Sequence, residues 1–172
     1  MELAFVEGAE TLVCGLGPVE AAASTAAALA GRPCRAVLQV GIAGARGLEA
    51  GELVLGSEAV YCDLVDPQSR LPRIDRVAPA ADLLARAQAA LPGAHVLPIA
   101  TAARVGAGAA CAEVEAMEGF GVLRAASLAG VPALEVRAIS NGIGDPREAW
   151  RIDDAIAALA AAVPRLLEAL DA

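Results

Sequence analysis

Short apolar runs alternate with Ala-rich helical segments along this chain, and glycine or proline marks most of the boundaries. Residues 3–6 and 11–14 are apolar runs separated by Glu7-Gly8-Ala9-Glu10, a β-hairpin pattern. Gly15 and Gly17 break the second run. Pro18 follows at a position where its fixed φ suits the first turn of a helix, predicted over 19–30 and closed by Gly31. Residues 36–40 form an apolar run expected of a strand covered on both faces, ending in the glycine-rich turn Gly41-Ile42-Ala43-Gly44. A second strand is predicted over 52–61, with Gly56 as a bulge or bend.

Residues 66–76 are polar, contain two prolines and predict an exposed loop. An amphipathic helix over 79–91 stops at Pro92-Gly93, and a strand follows over 95–100. A mobile Gly/Ala loop is expected over 104–110, a short acid-bearing strand over 111–117, and a helix over 118–129 ending at Gly130. A strand over 133–139, a polar loop over 140–146 and a C-terminal helix over 152–170, kinked at Pro164, complete the chain. This alternation predicts an α/β fold: three α/β/α layers around a central mixed sheet, in one domain spanning 1–172.

Composition narrows the class. The chain has 172 residues, is 57% hydrophobic and carries a formal charge of −8. An acidic surface without a basic run excludes nucleic-acid backbone and polybasic membrane docking as partners. No stretch has the length of a membrane span, and the first ten residues carry no basic leader, so a cytoplasmic protein is expected. The four cysteines (Cys14, Cys34, Cys62 and Cys111) form no CxxC pair, so neither a metal site nor a disulfide framework is expected. No cofactor is expected either.

Lysine is absent, and asparagine, histidine and tryptophan each occur once, as Asn141, His95 and Trp150. Where a bias has purged residue types, the survivors carry information. Asn141 ends the strand Arg137-Ala138-Ile139-Ser140. Its amide offers a donor and an acceptor on one flat group, which a 6-oxopurine with a protonated N7 can satisfy at O6 and N7. The alternative is a simple Asx-turn at a strand end. Glu118 stands where a strand meets a helix. It either complements the helix dipole or grips a vicinal diol and favours positive charge on a sugar. Met117, the one internal methionine, is a candidate apolar wall beside it. The string CGLGPVEAA places Gly-x-Gly before a helix, but the acid of a dinucleotide fingerprint is missing, Gln39 standing there instead. His95 lacks a partner at motif spacing and reads as a surface or capping residue. Trp150 reads as an anchor for the last helix.

Taken in order, these strings resemble the nucleoside phosphorylase/nucleosidase superfamily. Gly15-Leu16-Gly17-Pro18-Val19-Glu20-Ala21-Ala22 is similar to its early GxGxxxAA segment. Gly41-Ile42-Ala43-Gly44 followed by Gly51-Glu52-Leu53-Val54-Leu55 is similar to its G-x-AG…GD-V-V stretch. Glu115-Ala116-Met117-Glu118-Gly119 resembles its EMEG signature, and Arg137-Ala138-Ile139-Ser140 its RxxS segment. Within it the chain most resembles the futalosine hydrolase family, through the MEGFG string, Ser140-Asn141 in place of Ser-Asp, and the Trp-Arg-Ile at 150–152.

The resemblance implies hydrolysis of the N-glycosidic bond of a 6-oxopurine nucleoside, releasing hypoxanthine in a menaquinone route. It makes Asn141 and Glu118 the catalytic pair, with Met117 at the sugar, Ala43 and Gly44 against the purine, and Val105 over the base. It implies a small-molecule nucleoside substrate and a homo-oligomer. The family begins with a further strand, whose loop carries a glutamate that orients the attacking water. This chain starts at what resembles the second strand, and Glu7 and Glu10 are poor substitutes. Two other readings stand beside it: a phosphorylase of the same fold, and a non-catalytic binding homologue.

Overall fold

The computed structural model describes residues 9–66 and 68–171. In chain order the elements are α1 (Pro18–Leu29), β1 (Val37–Ala45), β2 (Leu53–Tyr61), β3 (Arg76–Val77), α2 (Ala81–Ala90), β4 (His95–Thr101), β5 (Val114–Ala116), α3 (Gly119–Leu128), β6 (Ala133–Gly142) and α4 (Ile152–Asp171). Strand order is β3-β2-β4-β5-β1-β6, and β6 pairs again with β2. Five strands thus close into a ring, with β3 on the free edge of β2. The β1–β6, β2–β4 and β4–β5 pairs are parallel, and β1–β5, β2–β3 and β2–β6 are antiparallel. The predicted mixed sheet is present, but its right-handed twist carries it round until its ends meet.

Three apolar clusters fit this arrangement. Ala43, Ala45, Val54, Ile99, Val114, Ala116 and Ile139 come from all five ring strands and fill the interior. Leu55, Leu134, Val136 and Ala138 on the sheet pack against Leu83 and Ala87 of α2 and Leu159 and Leu166 of α4. Leu123 and Ala126 of α3 meet Ala59 and Ala133 on the other side, where α1 lies against α3. Helices therefore cover two sides of the strands, as the three-layer expectation required. In α4, Asp153 and Asp154 occupy the first turn, where they complement the helix dipole, and Pro164 lies inside the helix and withholds one backbone donor.

Four local expectations are corrected. The hairpin strand at 3–6 lies outside the described residues. Residues 11–14 are not in a strand, and Val13 is 82% exposed, because they find no pairing partner among the described residues. Gly41-Ile42-Ala43-Gly44 is not a turn but the second half of β1, paired residue by residue with β6. The acid-bearing strand is shorter than predicted, starting at Val114 after a 3₁₀ turn over Gly108–Ala110. Ser140 and Asn141 belong to β6 rather than to the loop that follows. The bulge expected at Gly56 is present: the β2–β4 register shifts between Gly56 and Glu58.

Candidate active site

Pairing of β1 with β6 builds the first half of the site. The register runs evenly from Val37↔Ala133 to Ala43↔Ile139, then shifts so that Gly44 faces Asn141. Ser140 is the extra residue of a β-bulge, a device that re-aims side chains. Its hydroxyl lies 2.8 Å from Asn141 Oδ1 and 3.2 Å from the Ala43 carbonyl. Asn141 Nδ2 donates to the Gly142 carbonyl at 2.9 Å. A carbonyl only accepts, so the amide nitrogen must face Gly142 and Oδ1 must face Ser140, which donates to it. Gly44 lies under the amide: a methyl group built there would sit 2.9 Å from Asn141 Nδ2. Ala43, Gly44 and Asn141 are thus brought together, and Asn141 is 8% exposed.

The second half is built at the start of α3. Glu118 is the N-cap residue of that helix, and its carboxylate reaches across to the N-cap of α1. There Gly17, at φ 86, donates its N–H to Glu118 Oε1 at 3.3 Å. Only glycine adopts that φ without strain, and the anion at this helix terminus is supplied by the protein itself. Glu118 Oε2 lies 3.2 Å from Arg137 Nη2. Met117, next in chain, lines a cavity of about 290 Å³ with Leu16, Gly17, Pro18, Val19, Tyr61 and Ala103.

Behind Glu118 lies a buried ion cluster. Arg137 Nε donates to Glu135 Oε1 at 2.8 Å, and Arg137 Nη1 donates to the Ile42 carbonyl at 3.3 Å. The side chains of Glu135 and Arg137 are 0% and 3% exposed. Burial would depress the Arg137 guanidinium, but the carboxylates of Glu135 and Glu118 hold it above its ordinary value. Burial pushes the Glu135 carboxyl up, against the opposing pull of Arg137. Cys14 is also raised, by burial first and then by the charge of Glu118. The two halves of the site meet on successive carbonyls of β1: Ile42 takes Arg137, and Ala43 faces Ser140.

Other candidates fall elsewhere. Val105 is 53% exposed and does not line the cavity at Met117. Its loop is tied to β5: the N–H groups of Gly106 and Gly108 each donate to a Glu115 oxygen at 2.5 Å. Glu10 pairs with Arg32 on the surface. Ile42 packs against the core under α4. His95 lies 3.1 Å from Glu52, a partly exposed structural contact, and Trp150 donates its indole N–H to the Asp145 carbonyl. The buried Glu135–Arg137 pair is a feature that the motifs of the sequence do not single out. The available signal was a pair of charges two residues apart in an apolar strand, hence on one face of it. Among the described residues no group of three or more metal-ligating side chains occurs.

The fold and the matching motifs define the class: residues 11–116 match the phosphorylase superfamily, and the chain belongs to it. The chain is a homologue of futalosine hydrolase, being 39% identical over 195 residues to that enzyme from Streptomyces coelicolor, an alignment covering 96% of this chain and 81% of the relative. The fold is also that of 5′-methylthioadenosine/S-adenosylhomocysteine nucleosidases. The Colwellia psychrerythraea enzyme, in complex with adenine, has a TM-score of 0.81 at 23% identity, covering 91% of this chain and 76% of that one. The Neisseria meningitidis enzyme, with methylthio-immucillin-A, has a TM-score of 0.78 at 23% identity, covering 90% and 78%.

Proposed function

We propose that this protein hydrolyses the N-glycosidic bond of futalosine, releasing hypoxanthine, as a step of menaquinone biosynthesis. The carrying observation is the state of the Asn141 amide. An amide can make four hydrogen bonds, and two are used to orient it, one from Ser140 and one to Gly142. One N–H and one oxygen lone pair remain, the complement of O6 and a protonated N7 on a 6-oxopurine. The kinship with a futalosine hydrolase supports the same substrate.

In this reading Asn141 holds the departing base, and its amide stabilises the charge that base gains. Glu118 accepts the ribose hydroxyls with the lone pairs left by the Gly17 N–H, its charge balanced by the Arg137 ion pair. Its charge favours the oxocarbenium-like transition state as water attacks the anomeric carbon. Met117 lies against the sugar, and Ala43 and Gly44 against the purine.

We further propose a homo-oligomer. Leu16, Val19, Leu64 and Val65 are exposed apolar residues bordering the Met117 cavity and its neighbour, and a second chain would cover them. A cytoplasmic location suits the four free thiols. Among the described residues no helix is long and apolar enough to cross a membrane.

The test is hypoxanthine release from futalosine, with and without inorganic phosphate. Phosphate-independent turnover is expected in the wild type. Asn141→Ala and Glu118→Ala should each lose about 100- to 1000-fold in rate. Asn141→Asp should move preference toward the 6-amino analogue, because a carboxyl suits an exocyclic donor. Equal rates in wild type and both alanine variants would remove these roles, and strict phosphate dependence would make the enzyme a phosphorylase.

A further inference from the structure

Glu135 occupies an interior position on β6 where Leu134, Val136, Ala138 and Ile139 are apolar and buried. An ionisable group there is not explained by stability, since apolar residues of similar volume commonly serve a buried site as well or better. Yet the surrounding chain is shaped to seat it. A methyl group built on Gly119 would collide with the Glu135 carboxyl, one on Gly56 would crowd Glu135 Cβ at 3.3 Å, and one on Gly41 would collide with Arg137 Nη1. Three glycines on three elements leave room for one carboxylate–guanidinium pair.

The pair has a direction. Glu135 Oε1 takes the Nε–H of Arg137, and the Ile42 carbonyl takes an Nη1 hydrogen. Two fixed points orient the guanidinium plane, leaving the Nη2 edge facing Glu118 at 3.2 Å. That edge makes no hydrogen bond among the described residues, and neither does Glu135 Oε2. The hydrogen bonds that hold Arg137 therefore lie on the side away from Glu118.

We propose that Glu135 is a positioning residue for this reaction, orienting Arg137 so that Arg137 in turn sets the Glu118 carboxylate at the sugar end of the site. This inference rests on the hydrolase reading above. Its chemistry is specific: the acceptor at Oε1 does the positioning, so a neutral acceptor of the same length substitutes for it and an apolar side chain does not.

The experiment compares Glu135→Leu and Glu135→Gln with wild type, alone and on a Glu118→Gln background. Glu135→Leu should lose about 10- to 100-fold in kcat/KM for hypoxanthine release, the scale of one hydrogen bond to a charged group. Glu135→Gln should recover most of that loss, and hypoxanthine affinity, which belongs to Asn141, should stay within about twofold of wild type in both. On the Glu118→Gln background the effect of Glu135→Leu should shrink to about threefold or less, because the two act in series. An undiminished effect there, or full activity in Glu135→Leu, overturns the proposal.

Nitrogen-15 NMR of the arginine side chains supplies a readout that needs no turnover and no leucine variant. The Arg137 Nε–H should exchange slowly in wild type and Glu135→Gln, and Glu118→Gln should leave it protected. Rapid exchange in the folded wild type overturns the positioning role. Absence of futalosine turnover in the wild type overturns the substrate reading instead, while the NMR comparison still judges the role of Glu135.

Discussion

Glu135 shows how one side chain couples chemistry to stability. Its folded-state carboxyl is raised by burial above the ordinary value of about 4.3, so protonation favours the folded chain. The groups facing it are Arg137 on its own strand, which opposes the shift, and Glu118 at the start of α3, which adds to it. Gln39, its register partner on β1, is neutral, and Gly56 of β2 and Gly119 of α3 bring no charge. The stabilisation is fully present below about pH 4 and is lost as pH rises through the raised folded value. Glu135→Gln cannot ionise. Its melting temperature relative to wild type should therefore climb as pH is raised from 4 toward neutrality, measured by thermal unfolding across that range. A difference independent of pH would mean that the carboxyl is not raised on folding.

Two helices carry the proposed sugar end of the site between them. The start of α1 presents the Gly17 N–H, and the start of α3 presents Glu118, so their separation sets the distance between donor and carboxylate. Gly121 sets that separation. A methyl group built there would collide with the Pro18 carbonyl and lie 3.1 Å from the Ala22 nitrogen, both backbone atoms that cannot swing aside. Gly121→Ala should therefore push α1 away from α3 and cost about 1–3 kcal/mol in unfolding free energy. It should also raise KM for the nucleoside through the displaced Gly17. Urea unfolding together with steady-state kinetics checks both. A variant as stable as wild type would show that the helices part without strain.

Ring closure ties the molecule together. Ile139 N–H donates to the Glu52 carbonyl at 2.9 Å and Gly51 N–H to the Ile139 carbonyl at 2.8 Å, which locks β6 onto the start of β2 beside the bulge that aims Asn141. The site thus sits on paired strands, while residues 63–66 and 68–74 run exposed between β2 and β3. Amide hydrogen exchange should be slowest in β1 and β6 and fastest, by orders of magnitude, in residues 63–66 and 68–74. Comparable protection in both regions would contradict this division of stability.

Much of this was legible from residue order. The alternation of apolar runs with Ala-rich segments placed every helix within a few residues. Pro18 and Gly31 marked the ends of α1, and Gly56 marked a real bulge, because each reports a local backbone constraint that needs no distant partner. The choice of amide over acid at residue 141 and the carboxylate at residue 118 were likewise chemical facts of the chain. Other features depend on segments about 100 residues apart: Gly17 meets Glu118, Arg137 meets Ile42, and Ser140 meets Ala43. Periodicity within a segment carries no information about such pairings. That Gly41 and Gly44 make room for side chains instead of forming a turn, that Ser140 is a bulge, and that Glu135 stands behind Arg137 all follow from strand register. Register is settled when β1 and β6 bury their faces together.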